Sequence, residues 1–283
     1  MFFCVKGFVR LAALSLSGII LLCAPVLARA QEKPPAAKET NPAAAKPQDG
    51  KLTAEQVSEL VIYVHGSRPV LQQIRRTGIE RGRITRTSGG RLEEVAYNLR
   101  FVKGESADKD KMRLDQQMPT LEYSLIYSGG KVFGILKGTV FTPRQEAADD
   151  LLNQSRHGLE ALLRYKENGS TVALVGKDKQ QNIDMQVLDL TDKEGRRTRY
   201  YISAKSFRVL STEYEETSAS GVKSAYKCRY YDYRSAQSTL VPFRAVLFRD
   251  GTQISETQIS TITFGGKADD SVFENPEQAA AKP

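Results

Sequence analysis

The residue types that carry out acid–base or nucleophilic chemistry are few and scattered in this chain of 283 residues. Its two histidines, His65 and His157, lie far from each other and from any cysteine or acid pair at metal-ligand spacing. The acid pairs Asp149-Asp150 and Asp269-Asp270 suit helix starts, where the helix dipole favours negative charge. No glycine-rich phosphate loop occurs. We therefore expect a protein that is not an enzyme and that has no cofactor and no metal ion.

Cysteine chemistry is also limited. Cys4 and Cys23 lie in the N-terminal leader described below, so that Cys228 is the one cysteine of the remaining chain and no disulfide can form within it. Cys228 alternates with Tyr226 and Tyr230, which favours a buried structural thiol over a reactive one. A hydrolase built from residues distant in the sequence is kept as a third hypothesis for the function.

Residues 1–30 have the pattern of a cleaved secretory signal peptide. Lys6 and Arg10 provide the positive start, an apolar run follows, and Ala28-Arg29-Ala30 matches the small-x-small cleavage pattern. An uncleaved anchor is disfavoured because the run is short and is interrupted by Pro25. A lipoprotein signal at Cys23 is disfavoured because Leu22 precedes it, where a small residue is required. We expect a soluble periplasmic protein.

The net charge indicates which partners are excluded. Removing the three basic residues of the leader lowers the formal charge from +8 to +5. This excess fits a weak, transient attraction to a membrane surface better than a nucleic-acid interface, and export makes nucleic acid an unsuitable partner.

The composition divides the chain into four parts. Residues 31–50 form a Pro/Ala/Lys-rich tether without any apolar residue larger than alanine, and residues 277–283 form a tail of the same character. Such segments bury too little apolar surface to offset the entropy lost on ordering. The sequence therefore predicts one folded domain over residues 51–276 between a disordered tether and a disordered tail.

Helices are predicted at the start and in the middle of the domain. Thr53 and Gln56 form a capping box that begins a helix ending at Gly66, and a short helix follows near residues 70–75. A longer helix is predicted to begin with Thr142 as N-cap and to continue to about residue 168. Its wide apolar stripe favours a lid that packs over a sheet.

Strands account for most of the remaining domain. Apolar and polar residues alternate along residues 95–101 and 121–127, and again in seven segments between residues 171 and 264. Residues 78–87 and a segment with Met112 and Leu114 are also predicted to be strands. The charged run 105–111 is predicted to be a loop. Ten to twelve sequential strands would curl rather than stay flat. The predicted fold class is α+β, a curled antiparallel sheet that forms an incomplete β-barrel covered by helices.

Three late motifs resemble those of the periplasmic outer-membrane lipoprotein carrier family, the LolA/LolB-like proteins. The first comprises the paired segments 187–190, 199–203 and 207–210, and the second is Tyr230-Tyr231-Asp232-Tyr233-Arg234 followed by Leu240-Val241-Pro242-Phe243. The third is the closing segment Asp270-Ser271-Val272-Phe273-Glu274-Asn275-Pro276. The resemblance implies an incomplete barrel with helices in its mouth and an apolar cavity that holds acyl chains.

The resemblance leads to two further hypotheses for the function. The first is a periplasmic carrier for the acyl chain of a lipid or lipoprotein. The alternative is an envelope interaction or sensor module of the same fold, with a filled core and a protein partner. The residues that would line or cover the carrier's cavity are Val95, Tyr97, Leu99, Phe101, Leu121, Tyr123, Leu125, Leu151, Leu152, Leu159 and Leu162.

Basic residues cluster at Arg75, Arg76, Arg81, Arg83 and Arg86. They could form a patch for a lipid headgroup or a partner at the corner between helix and strand. The favoured interpretation is a solvated strand face.

Overall fold

One antiparallel sheet of thirteen strands forms the body of the domain. The computed structural model describes residues 52–88, 91–118, 121–218, 220–267 and 269–276. The predicted signal peptide at 1–30, the tether at 31–50 and the tail at 277–283 lie outside the described residues.

The elements follow in chain order. The helices are α1 (Ala54–Val64), α2 (Arg68–Ile74), α3 (Gln145–His157) and α4 (Leu159–Leu163), with short 3-10 helices at Ala107–Lys109 and Asp270–Phe273. The strands are β1 (Thr77–Ser88), β2 (Arg91–Val102), β3 (Lys111–Gln117), β4 (Glu122–Ser128), β5 (Lys131–Leu136), β6 (Thr139–Phe141), β7 (Thr171–Gln180), β8 (Ile183–Thr191), β9 (Arg197–Ser203), β10 (Val209–Thr217), β11 (Lys223–Ala236), β12 (Thr239–Arg249) and β13 (Thr252–Phe264).

The sheet is built from two halves that meet in its middle. Its spatial order is β6-β5-β4-β3-β2-β1-β13-β12-β11-β10-β9-β8-β7, so that the first strand pairs with the last. The edge strands β6 and β7 are consecutive along the chain, and α3 and α4 connect them. The sheet does not close, and the predicted fold class, an α+β incomplete barrel with helices, is confirmed.

The strand prediction is confirmed in the second half of the domain and incomplete in the first. All seven segments predicted between residues 171 and 264 are strands, as are residues 95–101. The strands β5 and β6 were not predicted, and they raise the number of strands above the expected ten to twelve. In the predicted loop 105–111, three residues form a 3-10 turn and Lys111 already begins β3.

The start of α1 is as the sequence predicts. The Thr53 hydroxyl accepts a hydrogen bond from the Gln56 backbone at 3.2 Å, and the Gln56 side chain accepts one from the Thr53 backbone at 2.8 Å. These reciprocal bonds satisfy two helix-end donors, as a capping box should. Gly66, with a φ of +137°, lies directly after the helix end.

The prediction of one long helix from Thr142 to about residue 168 is wrong in three respects, the first being that the helical structure ends at Leu163. Its N-cap is Arg144, and Gly158 interrupts it in an extended conformation, which produces two helices. A Cβ atom at Gly158 would lie 2.2 Å from the carbonyl oxygen of Gln154, so this turn requires glycine. The apolar stripe continues across Gly158, so the helical spacing of the apolar residues does not reveal the break.

The helices pack on the concave face of the sheet in two separate groups. One core cluster joins α1, α2 and α4 to β8, β9 and β10, and its members include Val61, Leu162, Leu188 and Tyr200. A second cluster joins α3 to β2, β3 and β4. The apolar packing therefore divides between the two halves of the sheet, while α3 also contacts β10 through His157 and Asn153.

The closing segment packs on the other, convex face. Phe273 is only 2% exposed, and Arg113 of β3 donates a hydrogen bond to the carbonyl of Val272 at 3.1 Å. Lys111 forms an ion pair with Asp270 at 3.0 Å. The segment therefore covers β3 and β4 from outside.

The contact between β1 and β13 leaves no space for a side chain at Gly82. The register of this pair shifts between Arg81 and Gly82, and a Cβ atom on Gly82 would lie 2.1 Å from the carbonyl oxygen of Gln258. We predict that Gly82→Ala lowers the free energy of unfolding by at least about 2 kcal/mol, because backbone must move to relieve the clash. Urea unfolding followed by circular dichroism measures it.

Gly176→Ala in β7 is the matched control. No atom lies within 4 Å of a Cβ at Gly176, and its φ lies outside the left-handed region. We expect this variant to unfold within about 0.5 kcal/mol of the wild type. Equal effects at the two positions would contradict the close approach of β1 and β13.

Candidate ligand-binding site

The structure places nine of the eleven predicted cavity residues in or against the two core clusters. Four belong to the α3 cluster and three more pack against it: Tyr97, Leu99, Leu125 and Leu151, then Phe101, Tyr123 and Leu152. Leu159 and Leu162 belong to the cluster with α1 and α2. Val95 is buried outside both clusters, and Leu121 is 38% exposed just before β4 begins. The set therefore does not surround one common space.

The α3 cluster consists of buried side chains that contact one another. Of the eleven residues, Leu152 alone borders either of the two cavities described here, a space of about 150 Å³ beside Tyr127 and Leu190. The hydroxyl of Tyr97 donates to Glu80 at 2.6 Å, and burial raises the pKa of this carboxyl group. This part of the concave face is packed as a core.

A larger cavity of about 300 Å³ lies between α2, α4 and the loop that follows β2. We call it the corner cavity. Its lining consists of Arg68, Leu71, Gln72, Arg75, Arg76, Lys103, Gly104, Glu105, Glu160, Leu163, Arg164 and Glu167. Leu71 and Leu163 are also members of the core cluster that joins α1, α2 and α4 to β8, β9 and β10. The cavity therefore has one apolar wall, which is continuous with the core, and a charged rim.

Two acids, the buried Asp110 and the half-buried Glu167, hold most of the rim cations in place. Asp110, which is 2% exposed, accepts hydrogen bonds from Arg164 at 2.8 Å and from Lys103 at 3.2 Å. Glu167 accepts from Arg68 at 3.0 Å. These bonds fix the loop after β2 and the first turn of α2 against the end of α4.

Arg75 is the most deeply placed cation of the corner cavity. Its side chain is 10% exposed, forms an ion pair with Glu160 of α4 and lies over the ring of Phe264 at 5.1 Å. Burial acts to raise the pKa of Glu160, but Arg75, with Lys103 and Arg164, lowers it below its usual value, so that Glu160 stays ionised. The Nη1 atom of Arg75 is buried without a hydrogen-bond partner among the described residues.

The predicted arginine cluster divides accordingly. Arg81 and Arg83 are exposed on β1, and Arg83 pairs with Glu94 at 3.3 Å, which agrees with a solvated strand face. Arg75 and Arg76 instead line the corner cavity. The sequence did not distinguish them, because Glu160, the acidic partner of Arg75, comes from a distant part of the chain.

The two histidines are buried and Cys228 is half-buried. The Nδ1 atom of His157 lies 2.6 Å from the hydroxyl of Thr198, and its Nε2 atom lies 3.8 Å from Glu216. His157 lies at the end of α3, where its ring stacks on Tyr214 at 4.0 Å, and Tyr214 in turn stacks on Tyr226. Burial raises the pKa of the half-buried Cys228 to about 11, so it is a thiol at neutral pH. Within the described ranges, no group of three or more His, Cys, Asp or Glu residues is placed to hold a metal ion.

Solved structures with the same fold are known. The chain resembles a LolA superfamily protein from Nitrosomonas europaea, with a TM-score of 0.57 and 14% identity over 80% of this chain and 100% of the other. It resembles a DUF1329 family protein from Desulfovibrio piger, with a TM-score of 0.57 and 12% identity over 80% and 98% of the two chains. A third is a putative outer membrane lipoprotein-sorting protein domain from Vibrio parahaemolyticus, with a TM-score of 0.51 and 12% identity over 73% and 92%.

The fold is thus LolA/LolB-like, as the sequence motifs indicated, and the likeness at these identities concerns the fold alone. No family model matches the chain, and no curated protein matches it either. In the part of the chain that the structure describes, no helix has the length and apolar character needed to cross a membrane.

His65 makes stability depend on pH. It is fully buried, its Nδ1 donates to the carbonyl of Val61 at 2.8 Å, and burial lowers its pKa from 6.5 to about 4. Because the unfolded chain binds the proton more readily, stability is lost as the pH falls from about 6.5 to about 4. We predict that wild type loses roughly 3 kcal/mol more than His65→Gln over this interval.

Urea unfolding of both proteins at several pH values measures this difference. Comparing the two proteins removes the opposite contribution of Glu80, which is common to both. Parallel stability curves would mean that His65 is not held neutral by burial.

Proposed function

We propose that this protein is a non-enzymatic carrier or binding protein of the periplasm that holds the acyl chain of a lipid or lipoprotein. The observation that supports it most directly is the corner cavity, whose volume of about 300 Å³ is at the lower end of the range for ligand pockets. Its apolar wall at Leu71 and Leu163 leads into the core between helices and sheet. An acyl chain entering there would replace side-chain contacts with contacts of its own.

The helices that border this entrance are short. The helix α2 has seven residues and α4 has five, so both depend on tertiary packing rather than on their own stability. Displacing them lets the cavity lengthen toward Leu162 and Leu188. Each methylene group that leaves water contributes about 0.8 kcal/mol, which offsets the cost of that displacement over a chain of sufficient length.

The LolA/LolB-like fold supports the same proposal, since one solved structure of this fold is named as a putative outer membrane lipoprotein-sorting protein domain. The leader at residues 1–30 supports export, and the modest positive charge supports a transient encounter with a membrane surface. No bond is made or broken in the proposed role.

A second function is favoured by the packed α3 cluster. A concave face that is filled between α3 and β2, β3 and β4 suits an envelope interaction or sensor module, whose ligand is a protein. The two functions differ in whether an acyl chain enters the protein.

The absence of tryptophan from the sequence provides a direct test. Gln72 and Gln73 are neighbouring exposed residues of α2, and Gln72 lines the corner cavity. We predict that a brominated fatty acid quenches the fluorescence of Gln72→Trp at micromolar concentration, because bromine quenches on contact. The same acid should quench Gln73→Trp several-fold less.

Thermal unfolding of both variants verifies that they fold like the wild type. Equal quenching of the two tryptophans would indicate adsorption outside the cavity. No quenching of either, together with recovery of a stable protein partner from an envelope extract free of lipid, would replace the carrier proposal by the interaction module.

A further inference from the structure

We propose that the corner cavity contains a subsite for an oxyanion, a phosphate or a carboxylate, with Arg75 and Arg76 as its principal donors. This inference rests on the proposed function, because it assigns the anion to the headgroup of the bound amphiphile. The acyl chain would lie along Leu71 and Leu163 while the headgroup stays at the charged rim.

The buried guanidinium of Arg75 provides the main argument. Glu160 contacts Nη2, whereas Nη1 is buried and has no hydrogen-bond partner in the part of the chain that the structure describes. A buried donor without a partner is costly, and nearly all such groups in folded proteins are paired. Arg75 belongs to the lining of the corner cavity, so a ligand oxygen that reaches Nη1 from this side, by a small movement of the side chain, would satisfy the donor.

Arg76 provides a second donor beside it. The backbone carbonyl of Arg76 accepts a hydrogen bond from the backbone N–H of Lys103 at 2.7 Å. This bond holds the loop after β2 beside Arg76. Its exposed side chain has no hydrogen bond or ion pair among the described residues. The planar fork of a guanidinium suits two oxygens of one phosphate or carboxylate.

The remaining rim charges favour an anion over a cation. The lining contains five basic side chains, Arg68, Arg75, Arg76, Lys103 and Arg164, against three acidic ones, Glu105, Glu160 and Glu167. Arg68, Lys103 and Arg164 are already paired with Glu167 or Asp110, although the ammonium group of Lys103 keeps N–H donors beyond its one bond to Asp110. Arg75 and Arg76 are the two arginines of the lining that neither Glu167 nor Asp110 binds.

The test compares ligands with one chain and different headgroups. Isothermal titration calorimetry of the full mature protein measures binding of decyl phosphate, decanoate and decanol. We expect the phosphate to bind about tenfold more tightly than the alcohol, and this preference to decrease at high salt. Arg75→Lys and Arg76→Gln should each reduce it several-fold.

Arg81→Gln is the matched control, because it removes an exposed positive charge of β1 outside the corner cavity. It should leave the preference unchanged. If Arg75→Lys fails to fold, the double variant Arg75→Met/Glu160→Met replaces it, since removing both members of a buried ion pair avoids an uncompensated charge. Thermal unfolding reports on the folding of each variant.

Inorganic phosphate distinguishes the two sources of the anion. If inorganic phosphate binds by itself and Arg75→Lys weakens this binding, the subsite takes a free anion. If phosphate binds only as part of decyl phosphate, the subsite takes the headgroup of an amphiphile. Equal affinities for decyl phosphate and decanol, or a preference that survives both arginine substitutions, would overturn the subsite and leave acyl-chain binding intact. If no decyl compound binds, the proposed function fails, and the titration with inorganic phosphate alone decides on the subsite.

Discussion

The pairing of the first strand with the last is the constraint on which the rest of the structure depends. The strands β1 and β13 join two half-sheets, and Gly82 lets their backbones approach where the register shifts. Because this seam lies in the middle of the sheet, the strands at its edges are β6 and β7, and the segment between them must cross the concave face. The two helices of that crossing, α3 and α4, therefore cover the sheet as a consequence of topology.

The same topology explains why the site is at a corner rather than in the centre of the barrel. The helix α3 fills the concavity over β2, β3 and β4, while α4 ends beside α2 and the loop after β2. Three segments that are distant in sequence converge there, each with a basic residue. Asp110, Glu160 and Glu167 compensate most of that charge and thereby fix the rim, whereas Arg75 retains an unpaired donor.

The fold was largely predictable because it is expressed in local patterns. The alternation in β2 and in the seven later strands, and the capping box at Thr53, depend on neighbouring residues only. The strands β5 and β6 were not recognised because they are short and because Gly134 lies beneath the ring of Phe141, a contact visible only once the strands pair. The break at Gly158 was not recognised because the apolar period continues through it.

The candidate site was less predictable than the fold. The sequence indicated an apolar interior lined by residues such as Leu99 and Leu125, and in the structure these pack against each other. It indicated the arginine cluster but could not separate Arg75 from Arg81, since burial and the partner Glu160 arise from tertiary contacts. The most direct measurement of the central claim is native mass spectrometry of the protein purified from a bacterial periplasm without detergent. The account predicts a bound species with the mass of a lipid or an acylated molecule, released by organic extraction. The mass of the mature chain alone, under conditions that preserve lipid in a known carrier, would contradict it.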